Sequence, residues 1–142
     1  MSTQHSSQPK RALLRMRIAD IGEPIYRARA RVMALGRRLG FRGEALDGIV
    51  LAFSEAVSNA LLHGESGHRQ CVHVAAVMDG NRLVLEIMDH GSGFHPANLD
   101  LPAPDDMSEG GRGLYLMKTF MDQVEWNGTP TGTTVRMSKS VG

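Results

Sequence analysis

What this chain has little of narrows its function before any motif is weighed. Cys71 is the only cysteine, which excludes an intramolecular disulfide and a thiolate metal cluster and fits a reducing cytoplasm. Aromatic residues make up 5% of the chain and the formal net charge is +1. With no stacking platform and no strongly basic balance, nucleic-acid binding is disfavoured. No apolar run reads as long enough to cross a membrane. Residues 1–10 lack the apolar core of a secretory signal and, being Ser/Gln-rich, read as a disordered tail. His63, His90 and His95 lack the spacing of a metal site on one element and read as loop or pocket-rim residues. There is no Walker A lysine motif. The glycine-rich stretches do not fall in a βαβ pattern with parallel strands, which disfavours a Rossmann site.

A length of 142 residues, 42% of them hydrophobic, suits one domain with a proper core, placed at residues 11–140. Charge is spread unevenly. Residues 1–42 hold ten Lys/Arg against two acidic residues (+8), and residues 43–142 hold six against thirteen (−7). The first third is therefore either a docking surface or an arginine-rich, solvated helix face. Residues 12–18 alternate apolar and basic near their end, as an edge strand does. Asp20 is a candidate helix cap, and Pro24 suits a first turn. Ile25, Ala28, Val32, Leu35 and Leu39 then step at helical spacing to a stop at Gly40. That seam can pack on the domain's own sheet or on a second subunit. Arg27, Arg29, Arg31, Arg37 and Arg38 occupy the helix's other sides.

The stretch that organises the chain is a helix over residues 43–62. Leu46, Ile49, Val50, Phe53, Val57, Ala60 and Leu61 form its apolar stripe. At about 100° per residue, Glu55 and Asn59 point away from that stripe, one above the other, with small Gly48 and Ala52 beside them. From this helix alone, the face reads as the floor of a polar pocket or as a solvated outer face. Strands follow at about 70–78, with Cys71 as a small core residue, and at 82–88. Asp79-Gly80-Asn81 makes the tight turn between them. Residues 95–110, broken by Pro96, Pro102 and Pro104, read as a lid or binding loop. A helix is expected from Leu114, opened by Gly110-Gly111-Arg112-Gly113. Two last strands are expected at about 123–127 and 133–138, with Trp126 on a sheet face. Met107, Met117 and Met121 read as packing residues. Hairpin-joined strands with helices gathered apart predict α+β: a two-layer sandwich, its sheet antiparallel or mixed, with helices on one face.

Several stretches carry chemistry. Asp89-x-Gly91-x-Gly93 ends a strand with a carboxylate able to accept a hydrogen bond from an exocyclic amine such as adenine's, and its glycines let a ligand approach. Alone it is also ordinary turn chemistry. A glycine-rich turn feeding a helix N-terminus is a natural phosphate cradle. Helix-borne Glu and Asn, strand-Asp-x-Gly-x-Gly, a polar lid, Gly-x-Gly into a helix and Gly132-Thr133-Thr134 entering a strand are together the pieces of an ATP site.

In these boxes the chain resembles the GHKL (Bergerat-fold) ATPase and kinase superfamily. Within it, the likeness is greatest to the anti-sigma factor serine/threonine kinases of bacterial partner-switching systems. It covers residues 12–138. Glu55-Ala56-Val57-Ser58-Asn59-Ala60 resembles the N box, Asp89 to Phe94 the first glycine box, Gly111-Arg112-Gly113-Leu114 the second, and Gly132-Thr133-Thr134-Val135 the last. The resemblance implies that Asn59 binds Mg²⁺ at the ATP phosphates and that Glu55 is the general base for the attacking hydroxyl. It implies that Asp89 holds the adenine amino group in a pocket shaped by Gly91 and Gly93. Gly111, Arg112 and Gly113, running into Leu114, would hold phosphates, and Thr133 or Thr134 would finish the adenine side. The implied partners are a sigma factor and a STAS-fold antagonist that receives the phosphoryl group; the basic helix could meet an acidic partner surface or a second copy in a homodimer. A histidine kinase would need a dimerisation helix pair with a phosphoacceptor histidine upstream, and only His5 precedes the organising helix. The alternative is a docking module of the same fold that regulates a partner without phosphoryl transfer.

Overall fold

The computed structural model describes residues 11–19, 22–62, 71–89, 109–129 and 132–142. In chain order the elements are β1 (Ala12–Ile18), α1 (Glu23–Leu39), α2 (Gly43–Leu62), β2 (Val72–Asp79), β3 (Arg82–Met88), α3 (Glu109–Phe120), β4 (Gln123–Thr129) and β5 (Gly132–Ser140). The strands form one sheet in the order β1-β2-β3-β5-β4, and every neighbouring pair is antiparallel. This is the expected α+β architecture, and the pairing is antiparallel throughout, not mixed. β1 is an edge strand, as its alternation predicts.

Period-two alternation decides which strand residues meet the helices. Leu83, Leu85 and Ile87 of β3, with Val135 and Met137 of β5, join the core formed with Ile49, Phe53 and Val57 of α2. Glu86 and Arg136, which pair across the strands, lie on the opposite face and form an ion pair at 3.9 Å.

In α1, Ile25, Ala28, Val32 and Leu35 are buried, so the seam is used inside the domain. Its N-cap is Gly22, with no side-chain capping bond; Asp20, the expected cap, lies outside the described residues. The C-terminal prediction holds. Gly40 adopts φ 109, a conformation that favours glycine, and donates to the Arg37 carbonyl at 3.0 Å, while Phe41 N–H donates to Gly36 O at 2.9 Å. α1 lies close on α2, because a Cβ added at Gly36 would stand 2.6 Å from Leu46 Cδ1.

α2 spans the residues its periodicity predicts. Contrary to the reading of the sequence, it is long and apolar enough, by length and composition, to cross a membrane; among the described residues it is the one such helix. Here it is the core helix, with Ile49, Phe53 and Val57 fully enclosed. The β2–β3 hairpin closes as predicted. Asp79 pairs with Arg82, Gly80 has φ 66 and, among the described residues, no non-glycine residue has positive φ, the pattern of a type II′ turn. Cys71 precedes β2 and is half-buried, so it is not a core residue of that strand. Met117 and Met121 are buried core residues, as expected. Trp126 is half-buried against the core, with the Lys118 ammonium 5.8 Å from its ring centre.

α3 differs from expectation at its start. It begins at Glu109, so Gly110-Gly111-Arg112-Gly113 lie within the helix, not in a turn before it. Glycine carries no apolar periodicity, so the sequence pattern becomes readable only at Leu114. α3 runs antiparallel along α2: its Phe120 end meets Gly48, and its Gly113 end meets Glu55 and Asn59.

Candidate active site

The polar face of α2 is not a solvated surface. Glu55 and Asn59 are both half-buried, and α3 is what covers them. A Cβ added at Gly113 would stand 3.0 Å from Glu55 Oε1, 3.2 Å from Asn59 Nδ2 and 3.6 Å from Asn59 Oδ1. The carboxylate and the amide therefore converge on α3 where it has no side chain, and the helix backbone can stand directly over both. The pocket is shorter than the sequence suggests. Ala52 is fully buried and Gly48 lies under the Phe120 ring, so the small residues serve helix packing and only the Glu55–Asn59 half is polar. Small residues one turn apart are what a close helix–helix approach requires, and that signal was open to a second interpretation.

The first turn of α3 contains Gly111 and Arg112. The first four N–H groups of a helix have no partner within it, and the helix dipole makes this end favourable for an anion. Gly113 follows, then Leu114, half-buried against the core. The chemistry offered beneath that turn is one carboxylate oxygen pair and one amide. Among the described residues no three His, Cys, Asp or Glu side chains cluster for a metal. That donor set does not suit a dedicated metal cage. It does suit a hard cation that keeps waters and takes its other oxygens from bound phosphates, as Mg²⁺ does.

A second group of site residues stands at the end of β3. Asp89 N–H donates to Thr133 O at 2.9 Å, and Thr133 N–H donates to Asp89 Oδ1 at 3.1 Å. The exchange clamps the carboxylate to the start of β5. That bond fixes the orientation of the carboxylate, a group able to accept several donors at once. The sequence left Thr133 and Thr134 equivalent, and the structure separates them. Thr133 is 4% exposed and shares the core-facing parity of Val135 and Met137, whereas Thr134 lies on the opposite face of β5. Gly91, Gly93, the three histidines near the boxes and most of the expected lid lie outside the described residues.

Comparisons with known proteins establish the family and the fold. Residues 8–139 match the histidine kinase-like ATPase domain, and the chain belongs to that family. Among its relatives is the anti-sigma F factor of Thermoanaerobacter sp. (strain X514), 32% identical over 120 residues, which cover 81% of this chain and 84% of that protein. Another is the serine-protein kinase RsbW of Bacillus pumilus (strain SAFR-032), 33% identical over 138 residues, or 89% of this chain and 85% of that one. The fold is also that of the RsbU and RsbW domains of Rv1364c from Mycobacterium tuberculosis, with TM-score 0.64 at 20% identity over 90% of this chain and 32% of that one. The catalytic domain of the histidine kinase ThkA gives TM-score 0.58 at 11% identity over 91% and 97%.

Proposed function

We propose that the protein is an ATP-dependent serine/threonine-protein kinase that is also an anti-sigma factor, phosphorylating a STAS-fold antagonist and binding a sigma factor in the cytoplasm. The observation that carries the reading is the convergence of Glu55 and Asn59 on Gly113. Mg-ATP, when bound, supplies the phosphoryl group and a cation that neutralises its charge. Asn59 offers an amide oxygen to that cation. Glu55 takes the proton of the attacking serine or threonine hydroxyl at its carboxylate. The backbone N–H groups at the start of α3 are offered to the phosphates, and the family resemblance gives Arg112 a part in holding them. Asp89 holds the adenine amino group, oriented by its exchange with Thr133. The family resemblance assigns Gly91 and Gly93, outside the described residues, to the same pocket, and Thr133, ahead of Thr134, closes it. Phosphoryl transfer depends mostly on positioning and electrostatic stabilisation, and these residue types supply both.

Two measurements test the reading. A thermal melt with ATP at about 100 times its dissociation constant adds roughly 2.7 kcal/mol, a rise of roughly 5–15 °C for a domain of this size. The rise is expected to need Mg²⁺ and to vanish in Asp89→Asn. Labelled phosphate is then expected to move from ATP to a STAS-fold antagonist. No rise at millimolar ATP would overturn the nucleotide site. A rise without transfer would favour the second reading, a docking module, to which the basic surface of α1 lends support. Exposed Arg27 and Arg31, with half-buried Arg29 between them, suit an acidic partner. Reversing all three to Glu is expected to weaken antagonist or sigma-factor binding, and unchanged binding would sink that part.

A further inference from the structure

We infer that Gly48 and Phe120 form a positioning contact for the nucleotide site: it sets where the start of α3 stands over Glu55 and Asn59. The inference rests on the reading of that site given above. A Cβ added at Gly48 would stand 2.5 Å from Phe120 Cδ1, 2.8 Å from Cγ and 2.9 Å from Cβ. A ring can turn aside, but a Cβ is fixed to its helix. Relief of the last of these contacts requires α3 itself to move.

The movement would not stay local. Gly48 and Glu55 are two helical turns apart on α2, and Gly113 and Phe120 are two turns apart on α3, so the two contacts lie roughly 10 Å from each other along one helix pair. Between them Ala52 and Met117 are both 0% exposed, and close-packed side chains transmit displacement. At the far end the approach is already tight, with the Gly113 Cβ position 3.0 Å from Glu55 Oε1. α3 therefore acts as a bar held at two points. One point is the site and the other is an apolar notch two helical turns away.

Gly36 provides the contrast. Its added Cβ would meet only Leu46 Cδ1, at 2.6 Å. That atom is the end of a flexible side chain on the α1 side of α2, so the strain there is relieved without moving α3.

The test is a titration of the folded, full-length protein with a fluorescent ATP analogue and Mg²⁺, beside melts without nucleotide. Gly48→Ala is expected to weaken binding by about tenfold, because the start of α3 no longer stands where Glu55 and Asn59 meet it. Gly36→Ala is expected to lower the melting temperature and leave the affinity unchanged. The double variant Gly48→Ala/Phe120→Ala, which removes the ring from the notch, is expected to recover part of the affinity that Gly48→Ala loses. If Gly48→Ala does not fold, Phe120→Ala alone carries the test: it releases the same end of α3 and is expected to weaken binding as well. A wild-type protein that binds no analogue would overturn the nucleotide site and this inference together. Wild-type binding with equal affinity in Gly48→Ala, or in Phe120→Ala where that variant is used, would overturn this inference alone.

Discussion

The two faces of α2 are both covered, but by different means. On its core face Ile49, Phe53 and Val57 are fully enclosed, and coverage comes from bulk. On its α3 face stand Gly48, Ala52, Glu55 and Asn59, and coverage comes from close approach. Bulk fills space and sets stability. Close approach sets the distance between two helices, and at its far end that distance is what brings a carboxylate and an amide under a helix N-terminus. One helix thus separates the two tasks by roughly a third of a turn, and each side can be perturbed alone.

The largest effect is expected on the core face. Phe53→Ala should cost about 3–5 kcal/mol and lower the melting midpoint by roughly 10 °C or more. Nucleotide affinity, measured on protein still folded, should be retained. A parallel loss of affinity would mean the two faces are not separable. On the other face, Glu55→Gln should reduce phosphoryl transfer by about 10²–10⁴-fold, the range of a general base, while the melting midpoint stays within about 2 °C of the parent. Full transfer activity in that variant would remove Glu55 from its role. Gly113→Ala should be milder. The neighbouring carboxylate and amide must give by a few tenths of an ångström, so an affinity loss of about tenfold is expected, with little change in stability; an unchanged isotherm would show that the gap has slack.

The smallest effect lies away from both faces. The Asp122 carboxyl is held below its ordinary value, chiefly by the Ser140 backbone N–H at 2.8 Å and then by Lys139. Its contribution to stability is present above the unfolded carboxylate pKa and is lost as pH falls through the lower folded value. Asp122→Asn should slightly flatten the acid end of a stability–pH curve and leave neutral stability nearly unchanged, because the group is largely exposed.

Much of this was legible in the sequence because the signals were local. The limits of α2, the stop at Gly40 and the Asp79–Arg82 hairpin each follow from a few adjacent residues. Glu55, Asn59 and Asp89 were legible as candidates because unusual residue types stood at regular positions. What was not legible was the pairing of elements far apart in the chain. Nothing near Gly48 announces Phe120, and nothing near Gly113 announces Asn59, because the closeness of α2 and α3 is a tertiary fact. The start of α3 was misplaced because glycines carry no period. Thr133 could have been preferred to Thr134, since Val135 and Met137 share its parity on β5, but only once the core side of that strand was known.

The strand order has a consequence for a chain still being made. β5 follows every other described element, yet it lies between β3 and β4. From Met88 to Ser140 a ribosome needs roughly 3–10 s at ordinary elongation rates. During that interval β3 shows an open edge, and Asp89 waits for the Thr133 backbone that will orient it. A nascent chain therefore has its α2 residues in hand well before the Asp89–Thr133 exchange can form, and that clamp is among the last contacts of the sheet to close.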